Sequence, residues 1–237
     1  MATIQENILR VREEIVRVCQ KIGRDPKEIA LVAVTKFAPV VAIQAAIHCG
    51  ITDIAENKVQ EGLKKYPLLK NFQTQGSFKR HLIGHLQTNK VKDALKIFDL
   101  IQSVDSLKLA QEVEKQALNL NRSVDIFVQV NIAGEEQKFG ADTEGALKLI
   151  SDILKLKNVQ ILGLMTMAPF TEDQKIVREC FKGLRELRDQ VVRDFKGDSQ
   201  IEMKYLSMGM SGDFGIALEE GSNMIRVGSA IFRSTNV

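Results

Sequence analysis

The chain has 237 residues, of which 44% are hydrophobic and 27% charged, the balance of a folded globular protein rather than a disordered, collagen-like or rod-like one. Its 33 basic and 30 acidic residues leave a net charge of +3, too even for the clustered basic face of a nucleic-acid binder. Aromatics are 5% and Trp is absent, which leaves no stacking platform for single strands.

Cys19, Cys49 and Cys180 are scattered and lack metal-ligand spacing, so they read as small buried hydrophobes in a reducing compartment. Glu6, Arg10, Arg12, Glu13 and Glu14 interrupt the apolar core that a signal peptide needs. No window approaches 18 uncharged apolar residues, and neither a membrane partner nor a location outside the cytoplasm is expected.

In chain order, residues 3–22 form a predicted amphipathic helix. Ile4, Ile8, Val11, Ile15, Val18 and Ile22 recur at three- and four-residue steps, Thr3 and Glu6 make a capping box, and Gly23 is a stop. Asp25-Pro26 then turns the chain. Eight short apolar runs follow: Ile29–Thr35, Ile51–Ala55, His81–Leu86, Leu100–Val104, Ile126–Ile132, Val159–Met167, Tyr205–Met208 and Met224–Ile231. Their Val and Ile content suits strands buried on both faces. Helical periodicity lies between them at Val40–His48, Val59–Tyr66, Leu107–Leu118, Ala146–Leu156 and Val177–Val192, and more weakly at 88–98 and 212–221. Alternating strands and helices imply a parallel sheet, and eight strands in this length favour closure over an open doubly wound sheet. The expected fold is an α/β, single-domain TIM-type (β/α)8 barrel spanning residues 1–237, with an extra N-terminal helix.

Active sites of such barrels lie at the C-terminal ends of the strands. The first run ends at Lys36, where apolar walls are expected to desolvate the amine and free its lone pair for reaction with an aldehyde. The seventh runs into Ser207-Met208-Gly209-Met210-Ser211-Gly212-Asp213, and the eighth passes through Arg226-Val227-Gly228-Ser229. Gly lets backbone N–H groups approach an anion, Ser adds hydroxyl donors, and the loops after strands seven and eight often hold phosphate. Each turn alone is an ordinary Gly turn. Together with Lys36 and Arg226 they point to pyridoxal phosphate.

These residues also carry a resemblance. Leu31–Lys36, Glu56–Glu61, His81–Lys90, Gly163–Met165, Leu206–Asp213 and Arg226–Phe232 resemble the pyridoxal-phosphate homeostasis protein (YggS/PROSC) family, whose fold is similar to the barrel domain of alanine racemase. The resemblance runs nearly end to end. It implies that Lys36 holds the cofactor as an internal aldimine, that Ser207, Gly228 and Ser229 contact the phosphate, and that Arg226 approaches the pyridine nitrogen. Arg80, Ala55 and Lys58 depart from the usual pattern of an aromatic, a Gly and a Tyr, and are expected around the mouth.

A guanidinium facing the ring nitrogen disfavours its protonation, so the ring would stabilise carbanions weakly. Racemisation needs acid–base groups on both faces of the α-carbon. Lys36 serves one face, whereas Tyr66, in a predicted helix, and Tyr205, at the start of strand seven, make unconvincing second bases. Alanine racemase draws its tyrosine from a second domain, which a chain ending at Val237 is not expected to supply. The expected function is therefore a non-catalytic holder, buffer or carrier of pyridoxal 5′-phosphate, acting on amino-acid and keto-acid pools. It is expected to act as a monomer with PLP-requiring apoenzymes as its partners. The alternatives are a pyridoxal-phosphate-dependent racemase of low activity and an interaction module whose cofactor state is the signal.

Asn57 is either a cofactor contact or a helix N-cap. His81 and His85 flank the third run at metal-like spacing without a third ligand, so no metal is expected and His81 is assigned a hydrogen bond near the cofactor. Lys138 reads as a solvated loop lysine in preference to a second amine. His48 reads as structural, and Met165, Met167, Met208 and Met210 as core in preference to a pocket wall.

Overall fold

A computed structural model of the chain describes residues 2–69, 78–135 and 137–233. Helix α1 (Ile4–Ile22) opens on the expected capping box, with Thr3 Oγ1 accepting from Glu6 N at 3.2 Å and Glu6 Oε2 accepting from Thr3 N at 2.7 Å. Gly23 closes it in the left-handed region, at φ 69°. Strands and helices then alternate. They are β1 (Ala30–Val34), α2 (Val40–His48), β2 (Asp53–Glu56), α3 (Val59–Lys65), β3 (Lys79–Leu82), α4 (Val91–Ile97), β4 (Leu100–Val104) and α5 (Leu107–Asn119). There follow β5 (Val124–Gln129), α6 (Thr143–Ile153), β6 (Val159–Met165), α7 (Gln174–Asp194), β7 (Ile201–Ser207), α8 (Phe214–Glu219), β8 (Met224–Val227) and α9 (Ser229–Phe232). All eight strands pair in parallel and in sequence order, and β8 returns to β1 through Val32↔Arg226 to close the barrel.

Strand alternation divides the core in two. Val32, Ala55, Leu100, Phe127, Met165 and Met224 form a small cluster inside the barrel. The outward residues of the strands pack with the helices into a much larger shell. Ile8, Val11, Ile15 and Val18 put the apolar stripe of α1 into that shell, where α1 meets α2, α8 and α9. Fully burying each such side chain contributes about 1.5–3 kcal/mol, so α1 is an integral part of the wall. No helix among the described residues is long and apolar enough to cross a membrane.

Several boundaries differ from expectation. Strand three was expected from His81 to Leu86 but runs from Lys79 to Leu82, so His81 lies within β3 and not at its edge. The eighth run was expected to stay extended to Ile231, but β8 stops at Val227 and residues 229–232 form α9. An apolar run buried on all sides has no period with which to tell strand from short helix. The weak segments 88–98 and 212–221 hold a 3-10 turn at Thr88–Lys90 and the short helices α4 and α8, too few turns to display periodicity. Arg80 is not at the mouth: it sits in the first half of β3 and forms a two-pronged ion pair with Asp99, at 2.7 and 2.9 Å. Ala55 belongs to the inner cluster, and Lys58 is the exposed N-cap residue of α3.

The turn that follows β1 is held from below. Lys65 Nζ, on α3, donates to Thr35 O at 2.9 Å, to Lys36 O at 3.4 Å and to Glu56 Oε1 at 2.9 Å. Thr35 Oγ1 donates to the same Glu56 oxygen at 2.8 Å. The Glu56 side chain is fully buried and that of Lys65 is 13% exposed, so this ion pair is little screened by water.

Two measurements test these contacts. Removing one partner of a buried pair costs about 3–5 kcal/mol, and the slight exposure of Lys65 puts Lys65→Met near 3. At roughly 2–4 °C per kcal/mol, Lys65→Met should lower Tm by about 6–12 °C in calorimetry. Burial pushes the Asp99 carboxyl up, but hydrogen bonds from Arg80 outweigh it and hold the carboxyl below its ordinary value. Its contribution is then complete above the unfolded-state pKa of about 3.9 and is lost as the pH falls through the lower folded value. The stability difference between wild type and Asp99→Asn should be flat above about pH 5 and should shrink below about pH 4 in urea titrations.

Candidate functional site

The sequence-predicted residues lie at or near the C-terminal ends of β1, β2, β7 and β8. Strand β1 ends at Val34, and the chain turns at Lys36 and Phe37. The turn lifts the Lys36 side chain onto the rim, where it is exposed with Nζ 5.4 Å from the centre of the Phe37 ring. The expected desolvation by apolar walls is therefore not found in this structure.

Arg226 is the opposite case. Its side chain lies inside the barrel, with Nη1 donating to Ser207 Oγ at 2.8 Å and Nη2 to Thr166 O at 2.8 Å. Burial pushes its pKa down to about 10, against the opposing pull of the Asp213 carboxylate. It thus stays charged at neutral pH, and among the described residues it has no ion-pair partner. Ser207 is also fully buried, and its hydroxyl donates onward to Gln102 Oε1 at 2.6 Å.

The two Gly/Ser turns are joined above this pair. Ala230 N donates to Ser211 Oγ at 3.2 Å, and Arg226 N to Gly209 O at 3.0 Å. Gly209 has φ 94°, and a Cβ there would lie 2.6 Å from Ala217 Cβ, so the turn requires glycine. A Cβ on Gly228 would meet Val34 Cβ and O at 3.3 Å, which brings the β8 turn close against the end of β1. Ser229 is exposed, and it borders a cleft of about 450 Å³ that also includes Ser211, Arg233, Arg10 and Asn7.

Asn57 is half-buried and is not a helix cap: Lys58 is the N-cap residue, and the Asn57 side chain has no hydrogen-bond partner among the described residues. Its carbonyl lies against Gly84, where a Cβ would come within 2.2 Å. Lys138 is not a solvated loop lysine. It is half-buried, donates to Ala168 O at 2.9 Å and pairs with Glu135, so it bridges the loops after β5 and β6. His85 stacks on Phe139 at 3.9 Å and lies 3.7 Å from Asp105. His81 is fully buried inside the barrel, away from the rim. Met165 and Met208 are core, whereas Met210 is exposed. Among the described residues, no three His, Cys, Asp or Glu side chains are placed to hold a metal.

Sequence reading missed Gln102, Thr166 and Asp53. Gln102 carried a signal: it is a polar residue in the middle of the apolar run Leu100–Val104, whose five residues are all buried. A buried amide needs partners, which marks it as part of a network. Thr166 contributes a backbone carbonyl, and no side-chain pattern reveals that.

The comparisons with known proteins agree with this geometry. Residues 4–236 match the family model "Alanine racemase, N-terminal domain". The Pyridoxal phosphate homeostasis protein of Aquifex aeolicus is 40% identical over 227 residues, with 96% of each chain covered. That of Escherichia coli is 33% identical over 240 residues, covering 98% of this chain and 97% of its own. Among solved structures, PipY of Synechococcus elongatus with PLP bound superposes at TM-score 0.80 with 32% identity, covering 93% of this chain and all of PipY. An alanine racemase from Clostridium difficile, 16% identical with TM-score 0.72, shares the fold over 57% of its length. The chain belongs to the pyridoxal phosphate homeostasis protein family, built on the N-terminal barrel of alanine racemase.

Proposed function

We propose that this protein binds pyridoxal 5′-phosphate and holds, buffers and delivers it through the Lys36 amine, without robust catalysis. The observation that carries this reading is the buried Arg226 guanidinium, without an ion-pair partner among the described residues, set on Ser207 beside the β8 turn and next to β1, the strand that leads into the Lys36 turn. A buried cation requires an acceptor, and a pyridine nitrogen is one that it can serve.

The residues present fit the cofactor. Arg226 would face the ring nitrogen, Gly228 and Ser229 the phosphate, with Ser207 behind them, and Asn57 is a free polar side chain at the end of β2. Bound through its aldehyde to an amine, pyridoxal phosphate supplies an electrophilic carbon that a second amine can take over. Lys36 is suited to such exchange because it is exposed at the rim. Arg226 keeps its charge and repels a proton from the ring nitrogen, which leaves little electron sink for chemistry at an α-carbon. Tyr66 is buried against Phe98, and Tyr205 packs on Phe127 below the site. Neither phenol is placed as a second base. The same reading makes residues 1–237 one barrel domain, a cytoplasmic monomer that hands its cofactor to PLP-requiring apoenzymes.

Borohydride reduction after loading with pyridoxal phosphate, followed by peptide mass spectrometry, tests the reading. A pyridoxyl adduct confined to Lys36 and lost in Lys36→Ala is expected. Wild type that takes up no adduct overturns it, and steady Lys36-dependent turnover of an amino-acid panel would replace the carrier with a racemase-type enzyme.

A further inference from the structure

A chain of hydrogen bonds crosses the barrel interior beneath Arg226. Arg226 Nη1 meets Ser207 Oγ at 2.8 Å, and Ser207 Oγ meets Gln102 Oε1 at 2.6 Å. Gln102 Nε2 meets His81 Nδ1 at 2.7 Å, and His81 Nε2 meets Asp53 Oδ1 at 3.1 Å. Ser207, Gln102 and His81 are fully buried, and the Asp53 side chain, on the first residue of β2, is 15% exposed.

Both charged ends impose the same direction on this chain. Arginine can only donate, so Ser207 Oγ accepts from it and gives its single hydrogen to Gln102. The Asp53 carboxylate can only accept, so His81 carries a hydrogen on Nε2, and a neutral ring then offers a lone pair at Nδ1. The Gln102 amide satisfies both demands in one orientation, with oxygen toward Ser207 and nitrogen toward His81. Two independent ends thus agree on one orientation of a group that has none of its own.

We propose that Gln102, His81 and Asp53 are positioning residues: they form a one-way donor chain that fixes the Ser207 hydroxyl and the Arg226 guanidinium and ends on Asp53 as the remote counter-charge. The claim that this positioning serves ligand binding rests on the pyridoxal-phosphate reading, whereas the chain itself does not. Two of the five guanidinium donors are committed to the barrel, to Ser207 and Thr166, which fixes the plane of the group and leaves the others for a ligand. Gln102 Nε2 also lies 3.3 Å from Met224 Sδ, a weak acceptor that suits its nitrogen. If His81 were doubly protonated, Gln102 would have to turn over and release the Ser207 hydrogen. The neutral Nε2–H tautomer is therefore the signature of the chain.

The test combines nitrogen-15 NMR of the three histidines in the unloaded protein with titration of pyridoxal phosphate. Wild-type His81 is expected neutral, with its proton on Nε2. In Gln102→Glu a carboxylate that can only accept replaces the amide, so a proton is expected on His81 Nδ1 as well as on Nε2. Gln102→Met keeps the volume and breaks the chain, and it should weaken pyridoxal phosphate by roughly five- to tenfold, the worth of one or two hydrogen bonds. A proton on Nδ1 in wild type, or a neutral His81 in Gln102→Glu, overturns the chain. A Gln102→Met protein that binds as tightly as wild type overturns the positioning role. If wild type takes up no pyridoxal phosphate, the functional reading fails and the NMR result alone decides the chain.

Discussion

A guanidinium keeps its charge wherever the backbone places it, and here the backbone places it inside a closed barrel. Arg226 lies on the inner face of β8, where its neighbours along the strand are apolar and water is excluded. That position is tolerable only because a hydroxyl from β7 and a carbonyl from the end of β6 accept from it, while the Asp213 carboxylate at the start of α8, not in contact, favours the charge from a distance. Each of these needs its own strand in register, so one buried charge ties the site to the closure of the barrel.

The same constraint explains how the polar residues are distributed. Buried polar groups are expensive when left single and acceptable when connected. The interior obeys this rule: Ser207, Gln102 and His81 each have partners on both sides, and the series reaches a carboxylate at the opposite end of the strands. On the proposed reading, that rigid base is what a ring nitrogen would meet. Lys36 stands in contrast, on a turn at the rim, with its carbonyl held by Lys65. A fixed base with an exposed amine suits a protein that must both hold a ligand and surrender it, whereas an enzyme would need acid–base groups ordered around the amine.

Much of this could be read from residues alone. The capped helix α1, all of α2 and the limits of β4 follow from periodicity, caps and β-branched runs, because these are local preferences that tertiary packing did not override. Lys36, Ser207, Gly228 and Ser229 could be picked out because they lie at or just past strand ends, where barrels place their chemistry, and a strand end is a sequence feature. The errors share a cause. The extent of β3, the helix hidden in the last apolar run and the placement of Arg80 away from the mouth depend on which neighbours a segment meets, and a segment buried on every side carries no period that reveals them.

By itself, then, the sequence determined the alternation of elements, the closed parallel architecture that alternation implies, and the residue types gathered at the strand ends. Only the tertiary structure decided that Lys36 is exposed while Arg226 is sealed in, that Lys138 bridges two loops, and that Gln102, His81 and Asp53 stand in line beneath Ser207. The physical reason is sequence separation. Asp53, His81, Gln102, Ser207 and Arg226 come from five different strands, and hydrogen bonds among them exist only once the barrel has closed and set the register of each strand against the next. Local propensity can announce a strand, but it cannot say which inward side chain of a distant strand it will face.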